Sequence, residues 1–246
     1  MIQGGRATSV AWKHKRSHEA DLLRVPIYGV AEAAHHVDVP VATLRSWIVG
    51  RFYPVQGGDR LFERVIIPAS EAPLLLSFTN LVEAHVLGSI RRHHGVRLDR
   101  VRLAVAYVER HTRVPSPLAN QDFLTEGRDL FIEALGMLVN VSRGGQLAIP
   151  EVVAGLLRRI DRDSSGLALR LYPMLRYTQA AEAPRVVVID PRISFGRPCL
   201  AGRGIPTDVL AERWRAGEAL AEIAEDYDCD QAQVEQAVQW ELREAA

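Results

Sequence analysis

The sequence is poor in the features that mark exported, metal-binding or membrane-spanning proteins. Only two cysteines occur in 246 residues, Cys199 and Cys229, and neither belongs to a CxxC pair. A zinc knuckle or a disulfide framework is therefore not expected. No run of about 18 uncharged apolar residues is present, and the N-terminal stretch lacks the apolar core of a signal peptide. These absences predict a cytoplasmic protein that holds no metal and no cofactor.

The charge is balanced over the whole chain but is unevenly distributed along it. Residues 1–120 carry 16 basic and 10 acidic side chains, whereas residues 181–246 carry 7 and 13. A basic front predicts a polyanionic partner, and an acidic tail predicts a cationic or protein partner. The alternative is that both imbalances are ordinary solvated surface.

Proline and glycine residues divide the chain into segments, and the periodicity within them predicts an α+β fold that is mainly α. We expect residues 1–25 to be a flexible arm and residues 26–73 to be a compact helical block that ends in a hairpin around Gly57-Gly58. Residues 74–178 are expected to form a helical and α+β middle module, which would mediate dimerisation. Residues 185–246 form a separate C-terminal domain.

The middle module contains several weaker signals. Apolar spacing predicts two helices between Leu74 and Thr112, joined near His94, followed by strands at 129–134 and 137–142. A short helix is expected from Val152 to Ile160. The run from Asp161 to Gly166 begins like a calcium loop, but Tyr172 stands where the bidentate Glu is required, so a turn is predicted instead.

One motif occurs twice, at an offset of 190 residues. Residues 30–44 align with residues 220–234 without a gap. Each copy predicts a short helix, a three-residue turn and a second helix, which is the helix-turn-helix arrangement. Asp38 and Asp230 are candidates for the N-cap of the second helix. The copies therefore predict two bihelical units of the same shape.

The second helices of the two copies differ in their polar residues. In the first copy we expect Thr43, Arg45, Ser46 and Trp47 to face the DNA groove, where an Arg can bridge two acceptors on guanine. Their counterparts in the second copy include Gln233, Glu235 and Gln236. Residues 220–239 carry six acidic side chains and no basic one. DNA would repel that surface, so the second copy is expected to bind protein.

The first copy and its surroundings resemble a known family. The residues Tyr28–Ala34 and Val39–Trp47, followed by Gly57–Phe62, resemble the winged helix-turn-helix of the MerR family of transcription regulators. The resemblance implies a recognition helix in the major groove and places Arg60 and Arg64 in a wing that contacts phosphates or the minor groove. Cysteine ligands and a long effector-binding helix are not evident in this sequence, so the resemblance does not imply that the protein senses metals.

The C-terminal segment resembles a second family. The runs Ile189–Thr207 and Gly217–Tyr227 closely resemble the domain of unknown function 433. Members of that family are often antitoxins similar to VapB-type proteins and are paired with a PIN-domain ribonuclease toxin. Where the familiar pattern has Thr-Arg before Ile-Pro, this chain has Arg203-Gly204, so the positive charge is displaced by one residue.

The same resemblance implies a toxin-binding surface. We expect it to contain Arg192, Arg197, Arg203, Trp214, Tyr227 and Trp240. PIN nucleases hold Mg²⁺ with a carboxylate cluster, and an arginine entering that cluster would form paired hydrogen bonds and displace the metal. The alternative is that the three arginines serve local turns and solvent.

Three functional hypotheses follow. The first is an antitoxin that neutralises a PIN-domain, VapC-like ribonuclease and binds operator DNA as a homodimer to repress its own transcription. The second is a MerR-like regulator that responds to a small ligand, and the third is a protein adaptor that does not bind DNA. No GxSxG or GxxxxGK[ST] motif and no nucleophile–base constellation occurs, so an enzyme is not expected.

Overall fold

A computed structural model describes residues 20–55, 58–94, 98–112, 119, 158–164, 166–173 and 184–243. The strands predicted at 129–134 and 137–142, and most of the helix predicted at 152–160, lie outside these residues. The helices and strands are, in order, β1 (Tyr28–Gly29), α1 (Val30–Val37), α2 (Val41–Val49), β2 (Arg51–Val55), β3 (Gly58–Phe62), β4 (Ser70–Glu71), β5 (Leu74–Leu76), α3 (Phe78–His94), α4 (Leu98–Thr112), β6 (Ile160–Arg162), β7 (Ala168–Leu171), β8 (Val187–Val188), β9 (Cys199–Leu200), α5 (Thr207–Arg215), α6 (Leu220–Asp226) and α7 (Gln231–Leu242).

The N-terminal unit is a helix-turn-helix followed by a β-hairpin. Helices α1 and α2 pack against each other, and strands β2 and β3 pair in antiparallel register with Arg51 opposite Phe62. A small sheet of order β1-β5-β4 closes the unit. The helix pair and the hairpin that the sequence predicts are both present.

The repeat that the sequence predicts is confirmed in the backbone. Helices α6 and α7 begin 190 residues after α1 and α2. Each first helix starts in the same way, because the backbone N–H of Gly29 donates to Glu32 at 3.2 Å and that of Ala219 donates to Glu222 at 3.3 Å. A carboxylate there satisfies a backbone donor that no turn of the helix can pair.

The turns between the paired helices are also equivalent. Asp38 and Asp228 both take positive φ angles, 53° and 49°. Aspartate is one of the few non-glycine residues that adopt this left-handed conformation readily, because its side chain is short and polar. The expectation that Asp38 caps α2 is wrong, since Pro40 occupies the N-cap; Asp230 does occupy the N-cap of α7.

Helix α3 lies in the centre of the N-terminal core. Every residue from Leu81 to Ser89 is buried, and one apolar cluster joins α3 to the helix-turn-helix, α4 and the β6–β7 hairpin. The helix begins at Phe78 rather than Leu74, because Leu74–Leu76 pairs with β1 and β4 as a strand. The sequence boundary at 73/74 therefore does not separate two independently packed bodies.

Two further expectations need correction. Residues 20–25 were assigned to a flexible arm, but Leu23 is buried and its carbonyl oxygen accepts a hydrogen bond from the backbone of Thr79 at 3.1 Å. Ile160 was assigned to a helix, but it begins strand β6 and pairs with Leu171. Of the turn predicted at 161–166, Asp161 and Arg162 belong to β6, and the turn begins at Asp163, whose carbonyl accepts a hydrogen bond from Gly166 N–H at 2.9 Å.

The C-terminal domain packs α5, α6 and α7 around a second apolar cluster. Its central side chains are Leu200, Leu210, Ile223, Val234 and Val238. An isolated bridge between Leu171 and Ile189 connects this domain to the β6–β7 hairpin. Across the described parts of the chain, no helix combines the length and the apolar character that a membrane crossing requires.

An aromatic contact fastens the two domains together, and we call it the interdomain clamp: His35, His36, Trp240 and Arg243. The ring of Trp240 at the end of α7 stacks on His36 at the end of α1, with centroids 5.7 Å apart. The Arg243 guanidinium lies 4.3 Å from the Trp240 ring centroid and donates to the His35 carbonyl at 2.7 Å. His36 and Trp240 are both buried.

The clamp predicts an acid-sensitive fold. Burial, with the nearby charges of His35 and Arg243, lowers the pKa of His36 from 6.5 to about 3. Between these values the unfolded chain binds a proton that the folded chain does not, so stability falls as the pH drops, by about 1.4 kcal/mol per pH unit for one group. In urea unfolding at several pH values, the free energy of unfolding should fall less steeply with decreasing pH for His36→Phe than for the wild type. Equal slopes would contradict this prediction.

Candidate DNA-binding and partner-binding surfaces

Helix α2 presents one face to solvent and the other to the core. Its fully buried side chains are Leu44, Trp47 and Ile48, and its exposed ones are Val41, Ala42, Arg45 and Val49. Thr43 and Ser46 are half-buried at the edge, and the Ser46 hydroxyl donates to the Thr43 carbonyl at 2.7 Å. Arg45 is therefore the cation at the centre of the free face.

Trp47 was expected to reach the DNA groove, and that expectation is wrong. Its side chain is fully buried, beneath the face that carries Arg45. Its backbone has a different role, since the Trp47 carbonyl accepts hydrogen bonds from the N–H groups of Val65 and Ile66 at 2.7 and 3.1 Å. These two bonds fix the segment after the β2–β3 hairpin against the end of α2.

Of the two basic residues assigned to the hairpin region, Arg64 has a defined side-chain partner, whereas only the backbone position of Arg60 is described. Arg64 follows β3, is 44% exposed and pairs with Glu71 at 2.6 Å. Because Glu71 is itself 70% exposed, the pair is solvated and holds Arg64 weakly. Arg60 lies on β3 opposite Tyr53, and its side chain is outside the described part of the chain.

The corresponding face of α7 has the opposite chemistry. Gln231, Glu235 and Gln239 are exposed, and Glu235 stands at the position equivalent to Arg45. The Glu235 carboxylate accepts a hydrogen bond from Gln239 at 3.1 Å, and no cation among the described residues is paired with it. The same backbone unit thus offers a cation in one domain and an anion in the other.

The irregular segment before α5 is built on one buried carboxylate. Asp190 is 1% exposed and accepts three hydrogen bonds from Arg192, from its backbone N–H at 3.0 Å and from Nε and Nη2 at 2.8 and 2.7 Å. Arg170 donates a fourth at 2.9 Å. Burial alone would raise the pKa of Asp190, but these bonds outweigh it and lower the pKa. Arg192 therefore has an internal structural role.

The other two arginines of the predicted basic surface are paired at the surface. Arg197 bonds to Asp208 at the start of α5, and Arg203 bonds to Asp228 at 3.0 Å. Both arginines are more than 40% exposed, and Asp228 is 97% exposed. Pairs this solvated exchange partners readily, so each guanidinium can leave its aspartate for a stronger anion.

The three aromatic residues assigned to the toxin-binding surface lie in different environments. Trp240 is fully buried in the interdomain clamp, so the expectation that it contacts a partner is wrong. Trp214 is 40% exposed and is therefore accessible to a partner. Tyr227 is half-buried, with the Arg213 guanidinium 5.3 Å from its ring centroid.

Sequence reasoning did not single out Phe195, the most exposed large apolar side chain in the described residues. It is 93% exposed and takes a positive φ of 56°. The signal available in the sequence was its position next to Gly196 in a turn rich in proline and glycine. Sequence reasoning also missed the clamp residues His35 and His36. Among the described residues no cluster of three or more potential metal ligands is present.

Two family models match this chain. Residues 26–105 match the family described as "Putative DNA-binding HTH domain", and residues 187–240 match the "Protein of unknown function (DUF433)" family. The chain is 31% identical over 230 residues to the protein of Mycobacterium tuberculosis (strain ATCC 25618 / H37Rv) named "Putative antitoxin VapB45", a span of 87% of this chain and 93% of that relative.

A solved structure supports the same assignment. The crystal structure of Rv2018 from Mycobacterium tuberculosis aligns with a TM-score of 0.62 and 26% sequence identity, over 87% of this chain and 97% of that one. Fold and surfaces together define a two-domain protein in which a helix-turn-helix domain of DNA-binding type is joined to a DUF433 domain. The chain belongs to the family of the VapB45 antitoxin.

The Asp190 centre allows a stability prediction. Asp190→Asn removes the charge from a buried acceptor of four hydrogen bonds, and we expect a loss of about 1–3 kcal/mol in the free energy of unfolding. This expected loss is smaller than the loss for breaking a fully buried ion pair, because solvent reaches Arg192. Glu71→Gln breaks the exposed pair with Arg64 and should cost about 0–1 kcal/mol. Urea unfolding of both variants tests this, and equal losses would contradict it.

Proposed function

We propose that the chain is the antitoxin of a type II toxin–antitoxin pair. Its C-terminal domain binds and neutralises a PIN-domain ribonuclease, and its N-terminal domain binds operator DNA to repress transcription of the pair. Membership in the VapB45 family supports the antitoxin role. The observation that carries the division of labour is the contrast between Arg45 and Glu235 at equivalent exposed positions of the two bihelical units.

On the DNA side, we place α2 in the major groove with Arg45 on base edges and with Thr43 and Ser46 at its margin. We further propose that the β2–β3 hairpin acts as a MerR-like wing, with Arg60 and Arg64 on phosphates. The solvated Arg64–Glu71 pair supports this role, because a phosphate can replace Glu71 without uncovering a buried charge. The hydrogen bonds to Trp47 hold the hairpin and α2 in one orientation.

On the toxin side, we propose that Arg197 and Arg203 are the cations available to the carboxylate cluster of the nuclease. Both are released by exchanging a solvated aspartate for that cluster. Departure of Arg192 would instead remove three of the four hydrogen bonds to the buried Asp190 and leave only the one from Arg170. Arg192 therefore supports the surface from below. Trp214 and Tyr227 lie in the same domain and are the aromatic contacts in this proposal.

A homodimer would allow two copies of α2 to read a palindromic operator. The sequence placed the dimer interface on the helices between 74 and 112. Helix α3 is buried within the chain from Leu81 to Ser89, so it is not available to a second copy. We therefore propose the outer side of α4, where Leu103 is 44% exposed, as the dimer contact.

The DNA-binding role is tested with one arginine. Arg45→Ala should weaken specific operator binding by about 1–3 kcal/mol, because it removes a side chain able to bond two acceptors of a guanine. Fluorescence anisotropy with the promoter DNA measures this, and Arg215→Ala, an exposed arginine of the acidic domain, is the matched control. Binding should also weaken steeply as salt rises.

Two results would contradict the DNA-binding role. One is an operator affinity that Arg45→Ala leaves unchanged. The other is a wild-type chain that binds a protein partner but no DNA at low salt, which would favour the adaptor.

The toxin-binding role is tested with two arginines. In the double variant Arg197→Ala/Arg203→Ala, inhibition of the proposed PIN-domain ribonuclease partner should require about tenfold more protein, because charge-assisted bonds to the carboxylate cluster are lost. A ribonuclease titration measures this, with Arg185→Ala as the control outside the segment. Undiminished inhibition by the double variant would reject these arginines as toxin ligands.

A further inference from the structure

Phe195 is placed where it contributes nothing to the fold of the isolated chain. The ring is 93% exposed, so the apolar surface that would stabilise the fold if it were buried remains in water. A large apolar side chain kept in water at a loop tip is a candidate contact for another molecule. In protein interfaces a few such side chains carry most of the binding energy, and aromatic residues are enriched in the buried centre.

The backbone holds Phe195 outward in an unfavourable conformation. Ser194, Phe195 and Gly196 all take positive φ angles, 47°, 56° and 78°. For a bulky residue such as Phe this region is a genuine outlier. Strain of this kind persists only when the surroundings impose it, and it concentrates at binding and catalytic sites. The strain is therefore a second indication, independent of exposure, that the turn serves contact with a partner.

The surroundings do impose this conformation. The Tyr28 hydroxyl, from the N-terminal domain, donates to the Gly196 carbonyl at 2.9 Å, and a Cβ at Gly196 would lie 2.4 Å from that hydroxyl. Inside the turn, Gly196 N–H donates to the Ile193 carbonyl at 2.9 Å. The Ser194 hydroxyl donates to the Gly204 carbonyl at 3.3 Å. A contact residue fixed in this way loses little entropy when it binds.

Charge indicates the kind of partner. Residues 184–243 carry 7 basic and 11 acidic side chains. DNA and anionic membranes are repelled by such a domain, and the same domain of a second copy would meet it with like charge. The remaining partner is a protein, and the exposed Arg197 beside the ring favours one whose apolar pocket lies next to carboxylates, as in the proposed nuclease.

We propose that Phe195 is the central aromatic anchor of the toxin-binding surface and inserts into an apolar pocket of the ribonuclease. The inference rests on the proposed antitoxin function and adds the residue that would supply the largest part of the binding energy. Arg197, two residues further on and 46% exposed, forms the charged rim beside the ring. The anchor supplies affinity, and the arginines supply the electrostatic contact.

The test compares variants of the full-length chain. Titration calorimetry measures the binding of each variant to a catalytically inactive form of the proposed PIN-domain ribonuclease partner. Phe195→Ala should weaken binding about thirtyfold or more, as hot-spot aromatics do. Leu242→Ala, which shortens another exposed apolar side chain of the same domain, should change it by less than about threefold.

A second variant separates binding from folding. Phe195→Gly removes the ring and also suits the positive φ, so its melting temperature should equal or exceed that of the wild type while its toxin binding is lost. That combination cannot arise from unfolding. A Phe195→Gly variant with wild-type toxin affinity would overturn the proposal.

The remaining outcomes are also decisive. If the wild-type chain and Phe195→Ala bind the ribonuclease with equal affinity, Phe195 is not the anchor, and the proposed antitoxin function stands. Wild-type chain that does not bind the ribonuclease overturns both. Sedimentation in which Phe195→Ala dissociates a wild-type dimer assigns the ring to a second copy of the chain and overturns the toxin as its occupant.

Discussion

The stacking of Trp240 on His36 is the contact on which the two-domain arrangement depends. It joins the last helix of the C-terminal domain to the first helix of the helix-turn-helix, and the Arg243 guanidinium also lies over the indole ring. Because both rings are buried, the domains are packed as one body at this point rather than connected only by a linker. The cost of this contact is a histidine that must remain uncharged.

The duplicated bihelical unit could be predicted from the sequence because its determinants are local. Glu32 and Glu222 each cap the helix in which they lie, and aspartate at 38 and 228 favours the turn that both copies share. The β2–β3 hairpin was predictable for the same reason, from glycines at its tip. Such features depend on residues within a few positions of each other, which a single sequence displays directly.

The burial of side chains was less predictable because it depends on distant parts of the chain. Trp47 is covered within the N-terminal core, and Trp240 meets α1, which lies about 200 residues earlier in the sequence. Neither contact follows from helical periodicity, which predicts the apolar face of a helix but not the part of the chain that packs on it. The exposure of Phe195 was missed for the converse reason, since a Phe within a short run is expected to be buried unless the backbone conformation is known.

The hydrogen bond from Tyr28 to Gly196 connects the helix-turn-helix to the turn that carries Phe195. Tyr28 stands two residues before α1, so that turn is bonded to the start of the helix-turn-helix. A ligand that displaces this turn must either break the bond or drag strand β1 along. The position of the turn that carries Phe195 is thereby coupled to the position of β1, and through β1 to the start of α1.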